Sequence, residues 1–130
     1  EREVVINFEP LAPSETNFVN THTEAIKFTK QFASPNFKMI LDVKAMCSMG
    51  KPIPEIIRES ANEFAYFHAN DENLKGPGFG DVDYQPIAAA LKEVNYTGVV
   101  SVEVFKFEEG PEAIATQSLR YLQETFAPSA

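Results

Sequence analysis

Cysteine is nearly absent from this chain. The single thiol, Cys47, has no partner within the sequence, so no internal disulfide forms. That suits a reducing compartment, and a cytoplasmic location is expected. Cys47 itself reads as a packed or half-exposed residue rather than a reactive one. Long apolar runs are also missing. None approaches the roughly 20 residues that a membrane-spanning helix needs, and the charged start leads into a strand pattern rather than a signal peptide. No membrane partner is expected. Basic residues are few and scattered: 11 Lys and Arg stand against 19 Asp and Glu, a net charge of -8. Phosphate backbones are bound by clustered cations, so nucleic acid is not an expected partner. Paired-cysteine metal spacing is absent as well. Small polar substrates and cations are the partners this composition favours.

What is present is ordinary for a compact domain: 130 residues, 44% hydrophobic and 23% charged. Strand and helix patterns alternate four times. The predicted strands are VVINFEP ending near Glu9, Phe37 to Val43, Glu63 to Ala69, and Gly98 to Phe105. The helices between them run from about Thr21 to Phe32, over IPEIIRESAN, over YQPIAAALKEVN and over PEAIATQSLRYLQETF. In the first, Ala25, Ile26, Phe28 and Phe32 lie on or near one face. Pro54 and Pro111 suit first-turn positions, and Asp83 is expected to cap the third of these helices. Such alternation predicts βαβ units with parallel strands in sequential order and helices on one side. Residues 1–126 read as one unit and 127–130 as a frayed tail.

Each predicted strand ends on a metal-ligand type: Glu9, Asp42, His68 and Glu103. One charged residue at the edge of an apolar run is unremarkable, and each has an ordinary alternative. Asp42 would cap a turn, Glu9 would pair at the strand rim, and His68 would be a satisfied core histidine. All four at the carboxyl ends of parallel strands form a pattern, because active sites are built there. Alternation also puts Ser101 and Glu103 on one face, opposite Val100, Val102 and Val104. A carboxylate on an inner barrel face is costly unless paired or bound to a cation. Three carboxylates and an imidazole suit Mn2+, Mg2+ or Co2+, with Zn2+ also compatible.

The segments NFEP, ILDVKAM, FHAND, GPGFGDVDY and YTGVVSVEVF resemble the second half of the xylose-isomerase-like barrel superfamily. The resemblance runs over nearly the whole chain. It implies an α/β fold, namely four βα units forming half of a (β/α)8 TIM barrel. It implies a divalent metal held by Glu9, Asp42, His68 and Glu103, with Glu9 and Glu103 as paired base and acid. The implied activity is isomerisation or epimerisation of a sugar or sugar-like polyol ketone by proton abstraction beside the carbonyl. A lyase of the inosose-dehydratase type and a non-catalytic metal-binding module are the alternatives. An apurinic-site endonuclease-like phosphodiesterase fits poorly, because it needs more histidines than two and a basic groove.

This chain departs from related epimerases at two substrate-contacting positions, which carry Ala45 and Leu74 here. Lys44 and Lys106 are the substitutes for holding substrate oxygens, set against the commoner fate of a solvated lysine. Asp71 either orients the site or caps the following turn. GPGFG reads as a tight turn rather than an anion cradle, and His22 as an exposed surface residue. A full barrel takes about 250 residues. A fragment of a longer enzyme is therefore expected, inactive alone and either self-associated as a homo-oligomer or completed by the N-terminal half of the barrel.

Overall fold

Four short strands carry the architecture. In the computed structural model, which describes residues 3–127, β1 is Ile6–Phe8, β2 is Phe37–Asp42, β3 is Phe64–Ala69 and β4 is Val100–Val102. They lie in the order β1-β2-β3-β4, each neighbouring pair parallel. The helices are α1 (His22–Lys30), α2 (Val43–Cys47), α3 (Ile53–Glu59), α4 (Gln85–Glu93) and α5 (Pro111–Phe126). Parallel neighbours demand a crossover, and the helices supply it. This is the expected α/β arrangement of four βα units. No helix among the described residues is long and apolar enough to cross a membrane. Residues 128–130 of the expected tail lie outside the described residues.

Local sequence sets the helix ends. Thr21 and Glu24 form a reciprocal capping box on α1. Proline occupies the first or second position of α3, α4 and α5, where its missing N–H costs nothing. The core lies between the sheet and these helices. Met39, Leu41, Phe67 and Ala69 are fully buried on the outer face of the sheet, in one cluster with Ala25, Ile56, Ile57, Ile87 and Leu91. Each large side chain buried there contributes about 1.5–3 kcal/mol.

One irregularity controls the opposite face. Pairing between β2 and β3 steps from Met39–Phe64 to Ile40–Tyr66, so Ala65 is an extra residue in β3. This bulge inverts the alternation beyond it. Phe64, Phe67 and Ala69 thus all join the core, while Tyr66 and His68 share the inner face with Ile40 and Asp42.

Several expectations need correction. β1 and β4 are shorter than the apolar runs suggested, and Glu103 lies just past β4, where its N–H donates to the Ala69 carbonyl at 3.1 Å. The short helix α2, directly after β2, was not expected. Phe32 is exposed, and the buried face of α1 is His22, Ala25 and Thr29. His22 is therefore not a surface residue. It is 4% exposed, and its Nε2 lies 2.7 Å from Glu59 Oε2. The ring belongs to the same helical stripe as Ala25, which carries it inward. Asp83 does not provide the N-cap of α4: Tyr84 takes that place, and Asp83 accepts from Gln85 N–H at 3.0 Å.

β1 and β4 form the two edges of the sheet. Val4, Val5 and Ile6 at one edge and Val99 and Val102 at the other are exposed. The first edge also carries a ladder of aromatic contacts linking Phe8, Phe18, Phe28, Phe32 and Phe37. Phe18 and Phe32 remain exposed within it.

Candidate metal centre

The carboxyl ends of all four strands meet at one mouth. Asp42 and His68 are register partners across β2 and β3, and Ser101 is next in the row. Glu9 follows β1 and Glu103 follows β4. One ligand atom from each of Glu9, Asp42, His68 and Glu103 lies within 4.8 Å of the other three. His68 Nδ1 is 3.3 Å from Glu103 Oε2, 3.6 Å from Glu9 Oε1 and 3.7 Å from Asp42 Oδ2. That nitrogen is buried and has no hydrogen-bond partner among the described residues.

This spacing fits a shared cation. Donors about 2.1 Å from one ion stand about 3.0 Å apart at right angles and about 4.2 Å apart across it. An orphaned imidazole nitrogen facing three carboxylates is a poor arrangement for hydrogen bonding and a good one for coordination. Electrostatics agree. Burial raises the Glu9 pKa above its ordinary 4.5, Asp42 and Glu103 add repulsion, and His68 opposes them. Burial also comes first in raising Glu103; His68 pulls it back, and Asp42 adds to the rise. A cation removes both penalties at once.

Asp42 is held from both sides. Its Oδ1 caps α2 by accepting from Ala45 N–H at 2.8 Å, and its Oδ2 accepts from Asn70 Nδ2 at 2.6 Å. Asn70 Oδ1 accepts from Lys44 N–H at 2.7 Å, and the Asn70 carbonyl accepts from the Tyr84 hydroxyl at 2.6 Å. Desolvation drives the Tyr84 pKa far upward, so its hydroxyl stays protonated as a donor. Asn70 was not among the residues singled out from sequence. Its one signal in the sequence is its place in FHAND, two residues after His68 and directly before Asp71.

The remaining candidates separate. Lys44 is nearly buried, with Nζ 2.8 Å from Glu15 Oε1 and 4.0 Å from the centre of the Phe105 ring. It lines a cavity of about 370 Å3 with Ser14, Glu15, Glu72, Leu74 and Phe105. Lys106 is exposed. Asp71 is buried and turned into its own loop, where its carboxylate accepts from Val82 N–H at 3.1 Å and Asn73 N–H at 3.5 Å. A side chain at Gly80 would collide with that carboxylate. The glycine-rich segment is a turn built around Asp71, with Phe79 N–H bonded to the Gly76 carbonyl at 3.1 Å. A larger cavity of about 950 Å3 lies between this loop and α5. None of Glu9, Asp42, His68 and Glu103 lines it.

Comparison with known proteins places these features in a group. The sequence matches the xylose isomerase-like TIM barrel family over residues 1–125. The D-psicose 3-epimerase of Enterocloster bolteae is 30% identical over 110 residues, covering 85% of this chain and 36% of that protein. The D-psicose 3-epimerase of Agrobacterium fabrum is 32% identical over 97 residues, covering 75% of this chain and 34% of that protein. A crystal structure of a D-psicose 3-epimerase in the presence of D-fructose superposes with a TM-score of 0.84 at 25% identity. That match covers 95% of this chain and 50% of the solved one. The chain thus spans about a third of the length of these curated relatives and about half of that solved chain.

Proposed function

The chain belongs to the xylose isomerase-like TIM barrel family, and from that premise we propose that it is the metal-binding half of a sugar isomerase or epimerase. The observation that carries this reading is the convergence of Glu9, Asp42, His68 and Glu103 around an imidazole nitrogen without a hydrogen-bond partner. These four residues would hold one divalent cation. Their oxygen-rich set favours Mn2+, Mg2+ or Co2+, and Zn2+ is also compatible. When bound, such a cation supplies Lewis-acid polarisation of a carbonyl and its neighbouring hydroxyl, which acidifies the carbon-bound hydrogen beside the carbonyl.

The protein's own groups do the rest. Glu9 and Glu103 rise from the two outermost strands and flank the site. One carboxylate takes the proton from carbon and keeps it, and the other, already protonated, delivers its own proton to the opposite face of a ketose; both then exchange with solvent. Lys44, pinned by Glu15 and Phe105, presents a fixed ammonium to a substrate oxygen. Lys106 keeps an exposed amine for the same purpose, and Asp71 acts through the loop it organises. The lone thiol suits a cytoplasmic setting.

Apolar residues at both sheet edges favour a partner that closes the barrel. A second copy would bring another Glu9, Asp42 and Glu103 into the same mouth, and like charges there repel. A complementary half barrel without those acids avoids this penalty, so it is the favoured partner, and the chain alone is expected to turn over little substrate.

The test is a Mn2+ titration followed by solvent exchange of a ketose in D2O, read by NMR, with and without the complementary half. The reading expects one ion per chain. It also expects deuterium at the carbon beside the carbonyl in the completed protein and none after Glu103→Gln. Failure to bind any divalent ion, or exchange that survives Glu103→Gln, would overturn it.

A further inference from the structure

From the hydrogen bonds around Asp42 we infer that Asn70 is the positioning residue of the metal centre, a reading that rests on the proposed function. Asn70 is completely buried, and its side-chain amide is used at both ends. Nδ2 donates to Asp42 Oδ2 at 2.6 Å, and Oδ1 accepts from Lys44 N–H at 2.7 Å. The partners fix the amide's orientation, since an N–H only donates and a carboxylate only accepts. They also fix the residue type. Aspartate would set two carboxylates face to face, and leucine would strand a buried donor and a buried acceptor. With Oδ1 of Asp42 committed to the α2 cap, the Asn70 bond sets the direction of the lone pairs that Oδ2 has left for an ion. The same amide fixes the backbone of Lys44, whose ammonium stands at the neighbouring cavity. The Tyr84 hydroxyl anchors Asn70 in turn. One side chain thereby ties a metal ligand on β2 to the candidate substrate cation on α2 and to the start of α4.

The experiment compares wild type, Asn70→Ala and Tyr84→Phe by Mn2+ titration calorimetry, by the visible spectrum of the Co2+ form, and by melting in EDTA. Asn70→Ala should weaken Mn2+ binding about 10- to 100-fold and change the Co2+ absorption bands. Tyr84→Phe should shift both in the same direction by less. A purely structural role would lower the EDTA melting temperature and leave affinity and bands alone, and that result overturns the inference. If Asn70→Ala does not fold, Tyr84→Phe decides, and an unchanged Co2+ spectrum there counts against it. Wild type that binds no metal sinks the proposed function and this inference together. Wild type that binds, with variants that bind equally well, sinks the inference alone.

Discussion

Replacing Glu103 with Gln should make the metal-free protein more stable and the metal-bound protein less so. The side chain keeps its shape and loses its charge. Without a cation, that charge is disfavoured by burial first and by the neighbouring Asp42 as well, which together raise its pKa against the pull of His68, so removing it relieves the folded state. With Mn2+ at 100 times the wild-type Kd, binding stabilises wild type by about 2.7 kcal/mol. For 130 residues, an unfolding entropy of about 2.1 cal/mol/K per residue makes that about 10 °C in Tm. If losing one of four ligands costs about 100-fold in affinity, the same Mn2+ only half-fills the variant and gives about 0.4 kcal/mol, or about 1.5 °C. Melting curves in EDTA and in Mn2+ should therefore cross between the two proteins. The metal-free wild type should also depend on pH. Glu9 and Glu103 hold their protons more tightly folded than unfolded. The stability they contribute is complete below the ordinary 4.5 and is lost as pH rises through their higher folded values. Glu103→Gln should flatten that slope. A variant that melts below wild type in EDTA, or gains as much as wild type from Mn2+, would refute the reasoning.

Other consequences are simpler to read. Leu41→Ala removes a fully buried core side chain and should cost about 2–5 kcal/mol in urea unfolding. His22→Ala breaks the 2.7 Å contact with Glu59 and should cost about 1–3 kcal/mol while leaving Mn2+ affinity unchanged. Burial and nearby acids push the Cys47 thiol from 9.0 up to about 11. Alkylation by iodoacetamide at pH 8 should then run about 100-fold slower in the folded protein than in urea. Gly80→Ala forces Asp71 to move, so limited proteolysis should cut the loop between Asp71 and Asp83 sooner than in wild type.

The periodic features of this fold were legible in its sequence, and the local departures were not. Apolar runs ending in Glu9, Asp42, His68 and Glu103 and alternating with helix patterns announce parallel strands, because parallel neighbours need a helical crossover. Strand ends blurred because the apolar pattern of VVSVEVF runs on to Val104 and Phe105, past the last ladder pair at Val102. α2 was hidden because Val43 to Cys47 follow β2 with no glycine or proline between, and Asp42 serves as strand end and N-cap together. His22 was misread from its position at a helix start; its place in the buried stripe with Ala25 and Thr29 outweighed its polarity once Glu59 was there to meet it. Asn70 was invisible for another reason. Its importance lies in two partners 26 and 28 positions away in the chain, and no local pattern encodes such a bond.

The extra residue at Ala65 has a consequence for how such proteins diverge. It fixes the parity of β3, and parity decides whether a residue meets the helices or the mouth. Deleting it would put Tyr66 directly after Phe64 and keep Phe67 on the helices and His68 at the mouth, because the bulge residue has no partner on β2. Drawing Ala65 into the ladder opposite Ile40 would instead turn Phe67 toward the acids and send His68 into the core, although every residue stayed the same. The chemistry at the mouth is thus written in strand pairing as well as in residue identity. Deleting Ala65 should leave the imidazole in the site, whereas deleting Phe67 should remove it as completely as mutating His68 itself. Relatives that differ in length after the bulge can therefore keep a histidine in the aligned column and still lack it in the site.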